Sequence, residues 1–186
     1  MKIKKFTLIF TILFILITPL CSPKISQIET SSTSAEVKHV SAQEVDFPIY
    51  SQGAVLMETS TGKVLYGKNE NGKLYPASTT KILTAIIAIE HYNLTDKIIA
   101  NNSAIMAIPS GYSNAAIQPG EALTVEELLE LFLIHSANEV GYIFAEDISG
   151  NIANFADLMN KKATEIGCKN THFTNPSGIH NVEHYS

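Results

Sequence analysis

From residue 53 onward the apolar positions change rhythm along the chain. "GAVLME" (53–58) and "KVLYGK" (63–68) are short strand-like runs separated by "TSTG", and the turn at Gly62 predicts a β-hairpin. Asn71-Gly72 is a turn signal on the way to Pro76. Residues 78–91, "STTKILTAIIAIEH", are nearly all apolar or helix-compatible, which predicts a helix that is apolar all round and therefore buried. Residues 93–124 read as irregular, with turns at Pro109-Ser110-Gly111 and Pro119-Gly120. "TVEELLELFLIH" then opens with Thr124 and Glu127 in capping-box spacing and carries Leu128, Leu129, Phe132 and Leu133 on its apolar face. "SAN" ends that helix and "EVGYIFAEDISG" begins another. In "NIANFADLMNKKATEIG", Ile152, Phe155, Ala156, Met159, Ala163 and Ile166 share one face, with Gly167 as the C-cap. A hairpin followed mostly by helices predicts an α+β domain, with a helical cluster against a small antiparallel sheet.

The first 46 residues follow another pattern. "MKIKKFTLIFTILFILITPLCSP" has three lysines in its first five residues, an apolar run over 6–17, then Pro19 and small residues. These are the parts of an export signal, assigned to 1–22, and the run is short for a membrane span. Cleavage is expected near Ser22 or later near 40–43, and an uncleaved anchor is the alternative. Lipidation at Cys21 is disfavoured, because Leu20 stands where a small residue would be expected. Residues 23–46 are rich in Ser, Thr, Glu and Gln and read as a disordered linker, with the folded domain at 47–186. The protein is thus expected to be exported and to act outside the cytoplasm. Only Cys168 remains in the body, so no internal disulfide can form. With 186 residues, 45% of them apolar, the chain can build a core. Its net charge is −5 and its thirteen basic residues are all lysines, a poor match for nucleic acid.

Against the apolar run of 78–91, Lys81 stands out. Ser78-Thr79-Thr80-Lys81 is an S-x-x-K, and residues three apart on a helix share a face. The positive end of the helix dipole and the apolar neighbours Ile82, Leu83 and Ile86 both disfavour an ammonium and lower the lysine pKa. A partly neutral lysine can take the serine proton and make Ser78 a nucleophile, and helix-start N–H groups can stabilise an oxyanion. The tetrapeptide alone is unspecific. Ser60-Thr61-Gly62-Lys63 matches it too, in a hairpin turn, and an N-capping serine with a snorkelling lysine would explain Ser78 and Lys81 equally well. Ser136-Ala137-Asn138 lies in a helix-to-helix connection, where the hydroxyl could pass a proton and the amide could bind a carbonyl or hold the lysine. Helix capping is the alternative there as well. Ser149-Gly150-Asn151 has the same S-x-N form, but a Gly stop and an Asn cap account for it. His180-Asn181-Val182-Glu183-His184 spells H-x-x-E-H, which needs both histidines on one helical turn to hold zinc. Here it follows the turn Asn175-Pro176-Ser177-Gly178 and no further ligand is evident, so no metal is expected. His39, His91, His135 and His172 are scattered.

"PASTTKILTA", "SANE" and "NPSGIHNVEHYS" together resemble the D-alanyl-D-alanine carboxypeptidases, the low-molecular-weight penicillin-binding proteins of serine peptidase type. The resemblance covers about 47–186 and includes the opening hairpin. It implies a β-lactamase/transpeptidase-like fold, with Ser78 as acyl-enzyme nucleophile, Lys81 as general base, Ser136 as proton relay and Asn138 as substrate-binding amide. It further implies a substrate class, peptidoglycan stem peptides ending in D-Ala-D-Ala, with β-lactams as covalent inhibitors and no cofactor. Membrane contact would come only through the N-terminal signal or a C-terminal tail. Two departures stand out. Glu139 follows S-x-N where the family commonly has Asp. The family's third motif, K-T-G, which lines the site from a strand and binds the substrate carboxylate, does not occur in this sequence. The chain is therefore expected to be the N-terminal part of a longer enzyme, lacking the C-terminal strands of the sheet, with little carboxypeptidase activity alone. A class A-like β-lactamase and a catalytically silent cell-envelope binding protein are the competing readings.

Overall fold

A computed structural model describes residues 48–186. The predicted export signal, the linker and Phe47 lie outside the described residues. The first alternating stretch forms the hairpin it predicts: β1 (Ala54–Met57) pairs antiparallel with β2 (Val64–Lys68). The second S-x-x-K, Ser60 to Lys63, closes this hairpin, so its serine and lysine never stack on a helix. A 3-10 turn at Ala77–Thr80 leads into α1 (Lys81–His91).

The stretch read as irregular holds more order than its pattern announces. It contains β3 (Lys97–Ile99), α2 (Asn102–Met106) and β4 (Ala122–Thr124), and β3 pairs antiparallel with β4 in a second two-stranded sheet. Strands of three residues are too short to display a period, and their partners come from opposite ends of the stretch. Helix α3 (Val125–Leu133) starts at the predicted capping box: Glu127 N–H donates to Thr124 Oγ1 at 3.2 Å, and Thr124 N–H donates to Glu127 Oε2 at 2.8 Å. Helix α4 (Asn138–Ser149) stops at left-handed Gly150. Helix α5 (Ile152–Glu165) is capped by Asn151, whose Oδ1 accepts from Asn154 N–H at 2.9 Å. The fold is α+β.

The packing corrects one expectation. The central helix is α4, in which every residue from 138 to 145 is buried. Helix α1 is two-faced instead of apolar and buried all round. Leu83, Ala85, Ile87 and Ala88 are buried, while Ile82, Ile86 and Ile89 are 59%, 39% and 55% exposed. Its isoleucines fall on two sides, and α3, α4 and α5 cover only one of them. Ala85 and Ala88 enter a cluster with Leu128, Phe132, Val140 and Phe144, while Leu83 and Ile87 meet Phe155, Met159 and Ala163 of α5. The buried face therefore fixes the axis of α1, and with it the first residue, Lys81.

Phe132 is fully buried and sits edge-on to Phe144, with ring centroids 6.2 Å apart. A β-carbon at Gly141 of α4 would press on the Phe132 ring at 3.1 Å, so the two helices meet tightly there. Phe132→Ala is therefore expected to lower stability by about 3–5 kcal/mol. A loss below about 1 kcal/mol in a denaturant titration would contradict this packing.

Candidate active site

Ser78 and Lys81 lie at the junction of the 3-10 turn and α1, on one face, with Lys81 Nζ 3.3 Å from Ser78 Oγ. Ser78 is exposed, whereas Lys81 is only 2% exposed. The helix connection between α3 and α4 brings Ser136 to the same place, and its hydroxyl donates to Ser78 Oγ at 3.2 Å. Lys81 Nζ donates to Asn138 Oδ1 at 2.8 Å. All four residues singled out in the sequence thus converge.

Capping does not account for them. The N-cap residues of the 3-10 turn and α1 are Pro76 and Thr80, and neither makes a side-chain cap hydrogen bond. The N-cap of α4 is Ala137, also without one. Backbone conformation points the same way. Ala77, directly before Ser78, has φ 47°, and Ser136 itself has φ 56°. Left-handed backbone at residues other than glycine costs energy and persists where surrounding contacts enforce it.

A third partner of Lys81 is one that residue types could not announce. Nζ donates to the backbone carbonyl of Ser177 at 2.9 Å. The turn at 175–178 is built by Asn175, whose Oδ1 accepts from the N–H groups of Ser177, Gly178 and Ile179 at 3.2, 2.8 and 3.1 Å. It sits directly on the turn that carries Ser78. A β-carbon at Gly178, where φ is 83°, would overlap the Ala77 carbonyl. Thr84 Oγ1 donates to Pro176 O at 2.7 Å, which ties the same turn to α1.

Three oxygens around one ammonium match its three donors. Their chemistry is unequal. Asn138 Oδ1 and Ser177 O can only accept, because Asn138 Nδ2 is turned away to donate to Ser113 O at 2.8 Å. A neutral Lys81 keeps two N–H bonds for those two acceptors and aims its lone pair at the one partner that can give a proton, Ser78. Burial pulls the Lys81 pKa down to about 8, with the Glu139 carboxylate opposing that shift. The Phe132 ring, 5.5 Å from Nζ, closes the apolar side of the pocket.

His184, from the H-x-x-E-H match, serves the same turn. The stretch is not helical. Nδ1 accepts from Thr174 N–H at 3.1 Å, so the proton sits on Nε2, which donates to Thr80 Oγ1 at 2.8 Å. Both ring nitrogens are thus engaged. Among the described residues no group of three or more His, Cys, Asp or Glu is placed to hold a metal ion.

The D-alanyl-D-alanine carboxypeptidase family model matches residues 37–186. The carboxypeptidase DacF of Bacillus subtilis is 40% identical over 162 residues, covering 84% of this chain and 41% of that protein. DacA of Haemophilus influenzae is 32% identical over 157 residues, covering 79% of this chain and 40% of its own length. The crystal structure of DacD from Francisella tularensis superposes with a TM-score of 0.69 at 31% identity, over 77% of this chain and 35% of that one. Penicillin binding protein 5 from Haemophilus influenzae gives 0.68 at 30% identity, over 76% and 43%. The chain spans about two fifths of the length of the curated relatives it matches.

The neutral His184 makes the site sensitive to acid. Burial holds its pKa at about 4, below the 6.5 of an ordinary histidine. Between these values the unfolded chain binds a proton that the folded chain does not, so stability is full above about pH 6.5 and falls as pH drops towards 4. The loss from this group approaches about 3 kcal/mol. In His184→Gln the difference in unfolding free energy between pH 7 and pH 4.5 should shrink by a comparable amount. An unchanged difference in denaturant titrations would contradict this account.

Proposed function

The chain belongs to the D-alanyl-D-alanine carboxypeptidase family, and from that premise we propose that it carries the acylating machinery of a serine D-Ala-D-Ala carboxypeptidase. The substrate is a peptidoglycan stem peptide. Ser78 Oγ attacks the carbonyl carbon of the penultimate D-alanine while its proton moves to Lys81 Nζ. The C–N bond then breaks, and the terminal D-alanine leaves with a proton handed back from Lys81 through the Ser136 hydroxyl. Water attacks the Ser78 ester in turn and releases the shortened peptide. β-Lactams acylate the same oxygen. Asn138 keeps Lys81 in line, and the acyl group lies against its amide. The N-terminal pattern of 1–22 supports export, which puts the reaction outside the cytoplasm. The substrate carboxylate is assigned to no residue of this chain, which contains no K-T-G.

The observation that carries the reading is that, among the described residues, Ser78 is the one hydrogen-bond partner of Lys81 Nζ with a proton to give, with Asn138 and Ser177 occupying the other two positions. Proton transfer by a positioned side chain commonly contributes about 10²–10⁴ in rate.

In the protein expressed from its complete reading frame, a fluorescent penicillin should label one site, and tandem mass spectrometry should place it on Ser78. Ser78→Ala should abolish labelling, and Lys81→Ala should slow it by about 10³. The second-order acylation rate should climb with pH through about 8, because Lys81 must lose its proton to act as base. Labelling that survives Ser78→Ala in the folded protein would overturn the reading.

A further inference from the structure

Glu139, the residue after Asn138, is 2% exposed. Its Oε1 accepts from Ala115 N–H at 2.6 Å, and its Oε2 has no hydrogen-bond partner among the described residues. Burying a carboxylate with one oxygen unmatched costs stability, and an apolar side chain of similar size would be the cheaper spacer. Its position suggests what this cost sustains.

Residues 113–115 form a strap across the connection that presents Ser136 and Asn138. Ser113 O accepts from both Asn138 N–H, at 3.0 Å, and Asn138 Nδ2, at 2.8 Å. Ser113 Oγ donates to His135 O at 2.9 Å. The orientation of the Asn138 amide, Nδ2 on the strap and Oδ1 on Lys81, therefore requires the strap to stay in place. Its apolar anchors are Ala115, packed against the core, and Ile117, buried in it. Ser113 and Asn114 are exposed, and Ala116 sits in left-handed backbone with φ 56°. Glu139 grips the strap two residues beyond Ser113.

We infer that Glu139 positions Lys81: it pins the 113–115 strap to the start of α4, so fixing the Asn138 amide, and it places a carboxylate one residue along from that partner of Lys81. This rests on the reading of Lys81 as the base for Ser78. The groups that bond or cover Lys81 Nζ among the described residues carry no charge. They are the Ser78 hydroxyl, the Asn138 amide, the Ser177 carbonyl and the Phe132 ring; His184, bonded to neighbouring Thr80, is neutral above about pH 4. The Glu139 carboxylate is the group that raises the Lys81 pKa against burial.

Two substitutions separate grip from charge. Glu139→Gln keeps an oxygen for Ala115 N–H and removes the charge. Glu139→Ala removes both. In the protein expressed from its complete reading frame, penicillin acylation is followed against pH, with thermal melts to verify folding. Glu139→Gln should keep the plateau rate within about threefold and move the acid limb to lower pH by about 0.5–1 unit, as loss of one neighbouring charge does. Glu139→Ala should lose about tenfold or more of the plateau rate, the scale of one charge-assisted hydrogen bond. A folded Glu139→Ala protein that acylates within twofold of wild type, or a Glu139→Gln acid limb that does not move, overturns the inference. Should Glu139→Ala fail to fold, the Glu139→Gln limb decides alone. Ser78→Ala in the same assay keeps the two readings apart. Labelling that persists there fails the proposed function, whereas labelling lost there with an unmoved Glu139→Gln limb fails only the role of Glu139.

Discussion

The site depends on how one nitrogen is held. Lys81 Nζ is buried, and a buried amine must find a partner for each hydrogen. It finds Ser78 Oγ at 3.3 Å, Asn138 Oδ1 at 2.8 Å and Ser177 O at 2.9 Å, from three stretches far apart in sequence. Folding that failed to bring any one of them in would leave a polar group unmatched in the interior. The requirement that makes the lysine affordable inside the protein also brings Ser78, Asn138 and the 175–178 turn together.

The rest of the architecture serves that meeting point. The fully buried start of α4 carries Asn138 and Glu139, and Phe132 of α3 lies under Nζ. The turn at 175–178 is pressed against Ala77 closely enough to exclude a β-carbon at Gly178. Strained backbone occurs at Ala77, next to Ser78 in the chain, and at Ser136. Ala77 is packed against Gly178 of the 175–178 turn, and the Ser136 hydroxyl donates to Ser78 Oγ, as expected of backbone shaped for a site and not for stability alone.

Much of this was legible in the sequence where residue type fixes local geometry. Thr124 and Glu127 announce a capping box and form one, and the alternation of 53–68 gives the hairpin. S-x-x-K and S-x-N named the four converging side chains, and context separated each from its decoy. Other features escaped for physical reasons. The β3–β4 sheet has strands of three residues. The outer face of α1 could not be told from its inner face, because both carry isoleucine. Ser177 acts through a carbonyl that every residue type possesses. His184 was legible only as part of an H-x-x-E-H match for which no metal was expected, and its place as a buried hydrogen-bonding strut between Thr80 and Thr174 has no sequence signature. Glu139 was visible only as a family departure, since its partner, Ala115, contributes an N–H with no side-chain signature.

The central claim is that Lys81 is held in a setting where it gives up its proton near neutral pH. A direct test follows the Lys81 side-chain resonance by NMR, using selectively labelled lysine and assignment by Lys81→Arg, across pH 6 to 12. The account predicts a titration near 8, set apart from the exposed lysines that titrate near 10.5. A Lys81 signal that titrates with the exposed lysines would contradict it.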